Sequence, residues 1–137
     1  MKAFFALGVA IAVGTAAPAQ ADPCEGQLPT HAGTTFAGEV RYVGDGDSLC
    51  VGRTLDPNEW IEVRLADFNA PELHASRGPE AKAALERTAL HRTVTCVTER
   101  GRSGRVISYD RAIARCTLGK ISLGELLRQT GTAEGGN

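Results

Sequence analysis

Residues 35–68 have the sequence TFAGEVRYVGDGDSLCVGRTLDPNEWIEVRLADF, and this stretch decides the fold. Apolar and polar side chains alternate along much of it, and β-branched and aromatic residues are frequent, which is typical of half-buried β-strands. Turn-forming residues interrupt the alternation at 44–47 (Gly-Asp-Gly-Asp) and at 53–59. The pattern therefore predicts a meander of three strands, at residues 35–43, 48–51 and 60–68.

Two helices are predicted in the rest of the chain. Pro79 suits the first position of a helix, because its missing N–H costs nothing there. Ala81, Ala84 and Leu85 follow at helical spacing, which predicts one amphipathic helix over residues 80–91. Ser122 is a favourable cap for a final helix that ends near residue 129.

Two further strands are predicted at residues 94–98 and 108–118, on either side of a basic, Gly/Ser-rich loop at 99–107. The resulting order is three strands, a helix, two strands and a helix. This order predicts an α+β fold that is mainly β: a five-stranded Greek-key barrel of the OB-fold type, with a helix between strands three and four and a C-terminal helix. A ferredoxin-like sandwich would need a helix after the first strand, and none is predicted there.

The composition limits how the protein can act on nucleic acid. The chain has 137 residues, of which 42 % are hydrophobic and 23 % charged, with a formal net charge of -1. A protein that coats nucleic acid by bulk charge would be strongly basic. Aromatic residues make up only 5 %, which argues against a broad stacking platform for bases. Any phosphate chemistry must therefore depend on a few placed residues.

The N-terminal 21 residues have the features of a signal peptide. A positive start at Met1-Lys2 precedes an apolar run, and Ala19-Gln20-Ala21 fits the small-residue cleavage pattern. The apolar run is shorter than a bilayer-spanning helix requires, although an uncleaved membrane anchor is the alternative. We expect a secreted or periplasmic protein, cleaved after Ala21 and not bound to a membrane afterwards.

The four cysteines fit an oxidising compartment. Cys24, Cys50, Cys96 and Cys116 all follow the predicted cleavage site, and an even number favours two disulfides. No C-x-x-C pair is present, so neither a redox motif nor a zinc knuckle is indicated, although a zinc site built from scattered Cys and His is an alternative. Four cysteines allow three connectivities, and the residues alone do not choose among them.

Two acidic segments carry residues suited to cation and acid–base chemistry. In Asp45-Gly46-Asp47-Ser48, two carboxylates separated by one glycine are able to face one hard cation, and an ordinary Asp-Gly hairpin turn is the alternative. In the second segment, residues 64–72, a carboxylate at Glu72 follows Pro71 in a rigid turn.

Two arginines are candidates for phosphate contacts. Arg64 lies on the polar face of the third predicted strand, and Arg111 ends the Tyr109-Asp110-Arg111 segment. A guanidinium is always charged and presents a planar fork that suits phosphate. Pairing with surface carboxylates is the alternative for each. The loop from Arg100 to Arg105 is predicted to be solvated, and a phosphate-steering flap is its second interpretation.

Taken in order, these segments resemble the thermonuclease (staphylococcal-nuclease-like) family of OB-folds, and the resemblance covers about residues 35–131. Any one motif is weak, whereas the ordered set is specific. The matching residues are Asp45-Gly46-Asp47-Ser48, Arg64-Leu65, Pro71-Glu72, Gly78 to Ala81, Tyr109, Arg111, Ala114 and Leu123-Gly124-Glu125.

The resemblance implies a nuclease that hydrolyses DNA or RNA with a bound divalent cation, calcium, and acts as a monomer. A cation held by carboxylates polarises the phosphodiester and orients water. By resemblance, Asp47 and the Ala70 carbonyl bind the cation, with Asp45 nearby and Asn69 at a further ligand position. Glu72 is the implied general base. Arg64 and Arg111 neutralise the charge that develops on phosphorus, and Tyr109 contacts substrate.

Two positions depart from the family pattern. Asn69 stands where the family has a second metal carboxylate, so the cation should bind more weakly, with Asp67 as a possible substitute. Asp110 replaces a glycine; aspartate tolerates positive φ, but it could also hold Arg111 in an ion pair. These departures motivate two alternatives, a catalytically silent OB-fold domain that binds nucleic acid or another ligand, and a purely structural exported domain.

The implied fold also bears on the disulfides and on the organisation of the chain. It places Cys96 and Cys116 on neighbouring strands, which favours a Cys96–Cys116 disulfide together with Cys24–Cys50. The expected organisation is a signal peptide at 1–21, an extended lead-in at 22–34, the barrel domain at 35–131 and a flexible tail at 132–137.

Overall fold

A computed structural model describes residues 8–12, 14 and 22–135 of the chain. The predicted signal peptide therefore lies largely outside the described residues. None of the helices within the described ranges is long and apolar enough to cross a membrane.

Within the described residues, seven strands, two α-helices and a short 3-10 helix (Pro57–Glu59) make up the fold. The five longer strands form the barrel, and two strands of two residues each extend it. The strands are β1 (Thr35–Asp45), β2 (Ser48–Gly52), β3 (Ile61–Leu65), β4 (Thr93–Thr98), β5 (Ile107–Ser108), β6 (Arg111–Leu118) and β7 (Ile121–Ser122); the helices are α1 (Gly78–Ala89) and α2 (Leu123–Gln129).

The barrel is closed by five strands. Antiparallel pairing runs in the order β3-β2-β1-β4-β6, and a parallel pairing of β3 with β6 completes the ring. Closure leaves these five strands without a free edge along the ring. The prediction of an α+β barrel of the OB type, with a helix between the third and fourth barrel strands and another at the C-terminal side, is confirmed.

The core lies inside the barrel and under the two helices. Helix α1 buries Ala81, Ala84, Leu85 and Ala89, the face expected from its spacing, and α2 adds Leu123 and Leu127. Small alanines on α1 allow close approach to the barrel. The strands contribute alternate residues to the same cluster: Val40, Val43, Leu49, Val51, Val63, Leu65, Val94, Cys96, Ala114 and Cys116.

The prediction of one strand at 108–118 is wrong, because the chain reverses within it. Tyr109 and Asp110 have φ values of 50° and 59°, and they form the two-residue turn of a hairpin between β5 and β6. A tight hairpin of this kind needs positive φ at both central residues, a conformation that aspartate tolerates. The third strand is also shorter than the predicted 60–68, since β3 ends at Leu65.

Both predicted disulfides are confirmed. Cys24–Cys50 ties the lead-in to β2, with 5.7 Å between the Cα atoms. Cys96 and Cys116 face each other in the β4–β6 ladder, with 4.0 Å between their Cα atoms. Loops of 26 and 20 residues closed in this way each stabilise the fold by about 3 kcal/mol in the chain-entropy treatment.

Candidate active site

The turn between β1 and β2 presents the two aspartates predicted to bind a cation. One Asp45 carboxylate oxygen accepts hydrogen bonds from the Asp47 backbone N–H at 3.0 Å and from the Ser48 hydroxyl at 2.8 Å. Gly46 lies against the loop after β3 and helix α1: a Cβ there would be 2.5 Å from the Ala70 Cβ and 2.6 Å from the Ala81 Cβ. The close packing therefore requires a glycine between the two aspartates.

Asp47 is buried, with 6 % of its surface exposed. Its Oδ2 accepts a hydrogen bond from the Ala70 N–H at 2.8 Å and lies 3.3 Å from Nη2 of Arg64. The pKa of Asp47 is raised to about 7, mainly by burial and also by the charge of Asp45, while the positive charge of Arg64 opposes the shift. The site thus holds more negative charge than Arg64 balances.

The pKa of Asp45 is shifted in the opposite direction, below its usual value. Burial acts to raise its pKa, but hydrogen bonds from Asp47 and Ser48 and the positive charge of Arg111 outweigh burial and lower it. Two adjacent carboxylates whose pKa values are pushed apart in this way are typical of functional sites, although structural networks produce the same effect.

The Arg64 guanidinium is held by the loop that follows its own strand. It donates to the carbonyl of Leu65, to the carbonyl of Phe68 at 2.7 Å, and to Oδ1 of Asn69 at 2.8 Å. These bonds fix the orientation of the guanidinium beside Asp47. Arg64 is thus in direct contact with two of the predicted metal residues, Asp47 and Asn69.

Asn69 links Arg64 to the C-terminal segment. Its Oδ1 accepts from Arg64, and its Nδ2 donates to the Gly135 carbonyl at 3.1 Å. The Gly135 N–H donates in return to the Asn69 backbone carbonyl at 2.6 Å. An aspartate has no side-chain donor, so it would lose the bond to Gly135. The described part of the predicted flexible tail is therefore hydrogen-bonded to this loop.

The remaining predicted metal ligands are differently placed. A Cβ on Gly135 would lie 2.8 Å from the Ala70 carbonyl oxygen, so this segment covers the carbonyl expected to face a cation. Asp67, the possible substitute, has a buried carboxylate that lies 3.7 Å from Arg115 and 4.0 Å from Arg128. Asp67 is thus engaged with these two arginines.

A cavity of about 430 Å³ collects Asp45, Tyr109 and Arg111. Tyr109 is 89 % exposed at the tip of the β5–β6 turn, and Arg111 is half-buried at the start of β6. The described ion pairs do not include one between Asp110 and Arg111. We name this space the Arg111 cavity. Its other lining residues are Asp22, Tyr42, Gly44, Ser48, Glu62, Leu73 and Lys82.

The sequence reasoning missed two acidic residues of the Arg111 cavity. The pKa of Glu62 is raised to about 7, mainly by burial and also by the adjacent Asp22 carboxyl, while the positive charge of Arg111 opposes the shift. Asp22 also lies against Gly44, where a Cβ would be 2.5 Å from its Oδ2. The signal for Glu62 was available, because it lies two residues before Arg64 on the same face of β3; nothing in the sequence indicated Asp22.

Glu72 is not brought to the aspartate pair. Its side chain is exposed in the loop before α1. It lines neither the Arg111 cavity nor a second cavity, of about 450 Å³, that lies beside Arg64. Its backbone carbonyl caps a turn by accepting from the Ala75 N–H at 2.9 Å. The neighbouring Leu73 does line the Arg111 cavity, so this loop borders the site.

The donor set fits a hard cation only in part. Asp45 and Asp47 offer carboxylate oxygens, and a cation beside Asp47 would offset the cost of burial that raises the pKa of this carboxyl. The Asn69 oxygen is bonded to Arg64, and Gly135 covers the Ala70 carbonyl. Within the described ranges, no cluster of three or more His, Cys, Asp or Glu side chains is arranged to hold a metal ion.

No protein-family model matches the chain, and no curated protein matches it. The resemblance to thermonucleases therefore depends on the ordered motifs alone.

Proposed function

We propose that this protein is an exported, monomeric phosphodiesterase of the thermonuclease type that hydrolyses DNA or RNA with a divalent cation, calcium. The observation that carries the proposal is the pairing of Asp47 with Arg64 at 3.3 Å, beside the turn in which Asp45 is influenced by the charge of Arg111. Two carboxylates and two arginines thus border one side of the barrel.

The cation would be held by Asp47 and Asp45, and it would act as a Lewis acid on the phosphodiester. Arg111 and Arg64 would donate to the phosphate oxygens and neutralise the charge that grows during attack. Fixed donors of this kind contribute about 3 kcal/mol each to the lowering of a barrier. The hydrogen bonds from Arg64 to Leu65 and Phe68 hold the guanidinium in place before substrate binds.

Tyr109 is the proposed contact to substrate, and Glu72 keeps the role of general base that the resemblance implies. Because the Glu72 side chain lines neither cavity in this structure, its loop must move to bring the carboxylate to the site. Glu72 is exposed to solvent on the loop that borders the Arg111 cavity, where water is available. Tyr109 projects from the hairpin turn beside Arg111. The amide of Asn69 supplies no charge to the cation, so we expect weak cation binding and slow turnover.

Hydrolysis of DNA and RNA by the disulfide-bonded protein, with calcium and with chelator, tests the proposal. We expect cleavage that requires calcium and falls at least about a hundredfold in Arg64→Ala and Arg111→Ala. Arg41→Ala is the matched control, because Arg41 is also a barrel-strand arginine, on β1, but it pairs with Glu39 at 2.9 Å and lines neither cavity of the candidate site. No cleavage with any divalent cation would reject the proposal.

A second candidate is a silent OB-fold domain that binds nucleic acid or another ligand. The observation that favours it is the engagement of Asn69 by both Arg64 and Gly135. Asn69→Asp separates the two candidates: a weakened enzyme should gain activity and cation affinity, whereas a silent domain should stay inactive.

A further inference from the structure

The loop between β4 and β5 concentrates positive charge. Arg100, Arg102 and Arg105 are all exposed, and no carboxylate of the described residues lies within ion-pair distance of them. Glu99, the acidic residue that precedes them, is paired with Arg115 at 3.1 Å. In a protein with net charge -1, this loop is therefore locally and strongly cationic.

The loop has a defined shape. The Gly101 N–H donates to the Arg105 carbonyl at 2.8 Å, and the Gly104 N–H donates to the Gly101 carbonyl at 2.9 Å. Arg100 adds a bond from its guanidinium to the Gly104 carbonyl at 2.9 Å. Gly101 also packs on Ile113 of β6, where a Cβ would lie 2.6 Å from the Ile113 Cδ1. These bonds lower the ordering cost of binding a ligand.

The loop opens onto the candidate site. A cavity of about 450 Å³ is lined by Arg102 of this loop together with Arg64, Asn69 and Ser108. Its two acidic residues, Asp67 and Glu134, are both within 4.0 Å of Arg128. The charge of Arg102 is therefore left for a ligand.

The cavity beside Arg64 and the Arg111 cavity lie along one outer face of the β3–β6 pair. Glu62 and Arg64 point outward from β3, in alternation with buried Val63 and Leu65. Arg111 and Ile113 likewise point outward from β6, and Ile113 is paired with Arg64 in the register of the two strands. Ser108 lines one cavity and Tyr109 the other. A ligand that spans both cavities would contact Arg111 in one and Arg64 and Arg102 in the other.

We propose that residues 100–105 bind the phosphate backbone of an extended nucleic acid strand on one side of the reacting phosphate. The inference rests on the proposed function and adds to it a binding site for the part of the strand outside the reacting phosphate, so long substrates should be favoured over dinucleotides. Arg102 contacts the phosphate nearest Arg64, and Arg100 and Arg105 contact the strand beyond it.

Binding of a fluorescent single-stranded oligonucleotide of about 20 nucleotides to the disulfide-bonded protein, in chelator and over a range of salt concentrations, tests the inference. The variant is Arg100→Gln/Arg102→Gln/Arg105→Gln. We expect at least a tenfold loss of affinity at low salt, and a salt slope that is shallower by about 2, since each lost phosphate contact removes about 0.7.

The matched control is Arg53→Gln/Arg87→Gln/Arg92→Gln, which removes the same charge from exposed arginines outside both cavities. Equal losses in the two triple variants would overturn the inference, because bulk charge would then explain binding. Arg102→Gln/Arg105→Gln against Arg87→Gln/Arg92→Gln repeats the comparison while keeping the Arg100–Gly104 bond. An unchanged salt slope in both loop variants would also overturn it.

The test separates the inference from the proposed function. Loop-dependent binding in chelator without hydrolysis in calcium would reject the nuclease and keep the binding site. Hydrolysis of a polynucleotide and a dinucleotide with the same kcat/KM, in both wild type and loop variant, would keep the nuclease and reject the binding site.

Discussion

The carboxylate of Asp47 accepts a hydrogen bond from the backbone N–H of Ala70 at 2.8 Å, across 23 positions of sequence. This bond joins the β1–β2 turn to the loop after β3, and it brings the two acidic motifs into one place. The same carboxylate lies 3.3 Å from Arg64. The charge state of Asp47 therefore affects the fold as well as the site.

Asp47 should make the protein less stable as the pH rises. Its pKa is about 7 in the folded state and near 3.8 when unfolded, so its protonated form favours folding. Its stabilising effect is complete below about pH 4 and is lost as the pH rises through 7. Asp47→Asn keeps an acceptor for Ala70, and we expect it to raise the free energy of unfolding at pH 8 by roughly 2 kcal/mol, with little change at pH 4.

Denaturant unfolding in chelator at pH 4, 6 and 8 measures this effect. Glu62→Gln is the companion variant, because the pKa of Glu62 is also raised to about 7 and should add a slope of the same sign. A wild-type pH slope that is unchanged in Asp47→Asn would contradict the prediction.

Asn69→Asp should lower the stability of the protein and raise its affinity for calcium. The variant loses the donor to the Gly135 carbonyl, which should cost about 1 kcal/mol of unfolding free energy in chelator. It also adds a carboxylate beside Asp47, which should raise calcium affinity at least about tenfold. Calorimetric titration with calcium and Tm in chelator measure the two effects. Asn69→Ala loses the same donor and also the acceptor for Arg64 without adding charge, so it should lower the Tm at least as much and leave calcium affinity without the gain.

Removal of the barrel disulfide should destabilise the protein strongly. Cys96→Ala/Cys116→Ala opens a 20-residue loop and leaves a small void in the core, and we expect a loss of about 3 kcal/mol or more. Denaturant unfolding of this double variant beside Cys24→Ala/Cys50→Ala gives the comparison, since the second pair closes a loop of similar length. A free energy of unfolding within 1 kcal/mol of wild type would count against the prediction.

Gly46→Ala should be destabilising although the change is one methyl group. The added Cβ would lie 2.5 Å from Ala70 and 2.6 Å from Ala81, so the turn, the loop or the helix must move, at a cost of roughly 2 kcal/mol. Combining it with Ala81→Gly removes one of the two clashes. If the clash on the helix matters, the double variant should be more stable than the sum of the single changes, as a thermodynamic cycle would measure.

The barrel was predictable from the sequence because its signals are local. Alternation and turn residues placed the first three strands, and helical spacing placed α1. The β5–β6 hairpin was missed because its turn residues, Tyr109 and Asp110, have positive φ although neither is a glycine, the residue that most often marks such a turn. Both disulfides were predicted from the fold that the motifs implied.

The site was only partly predictable, because its decisive contacts are long-range. Asn69 matched a metal position by motif, but its bonds to Arg64 and to Gly135 link residues 5 and 66 positions away. The pairing of Asp22 with Glu62 likewise depends on how the lead-in crosses the barrel. The sequence of neither segment contains a pattern that predicts its contact with the other.

The Cys24–Cys50 bond has a practical consequence for any assay of this protein. It anchors the chain two residues after Asp22, and so it keeps an extra carboxylate in the Arg111 cavity beside Glu62. A thiol reagent in the buffer would release that carboxylate and make the cavity less negative, without any change in sequence. Preparations purified with and without reductant would then differ in anion binding, and the redox history of a sample belongs among its controlled variables.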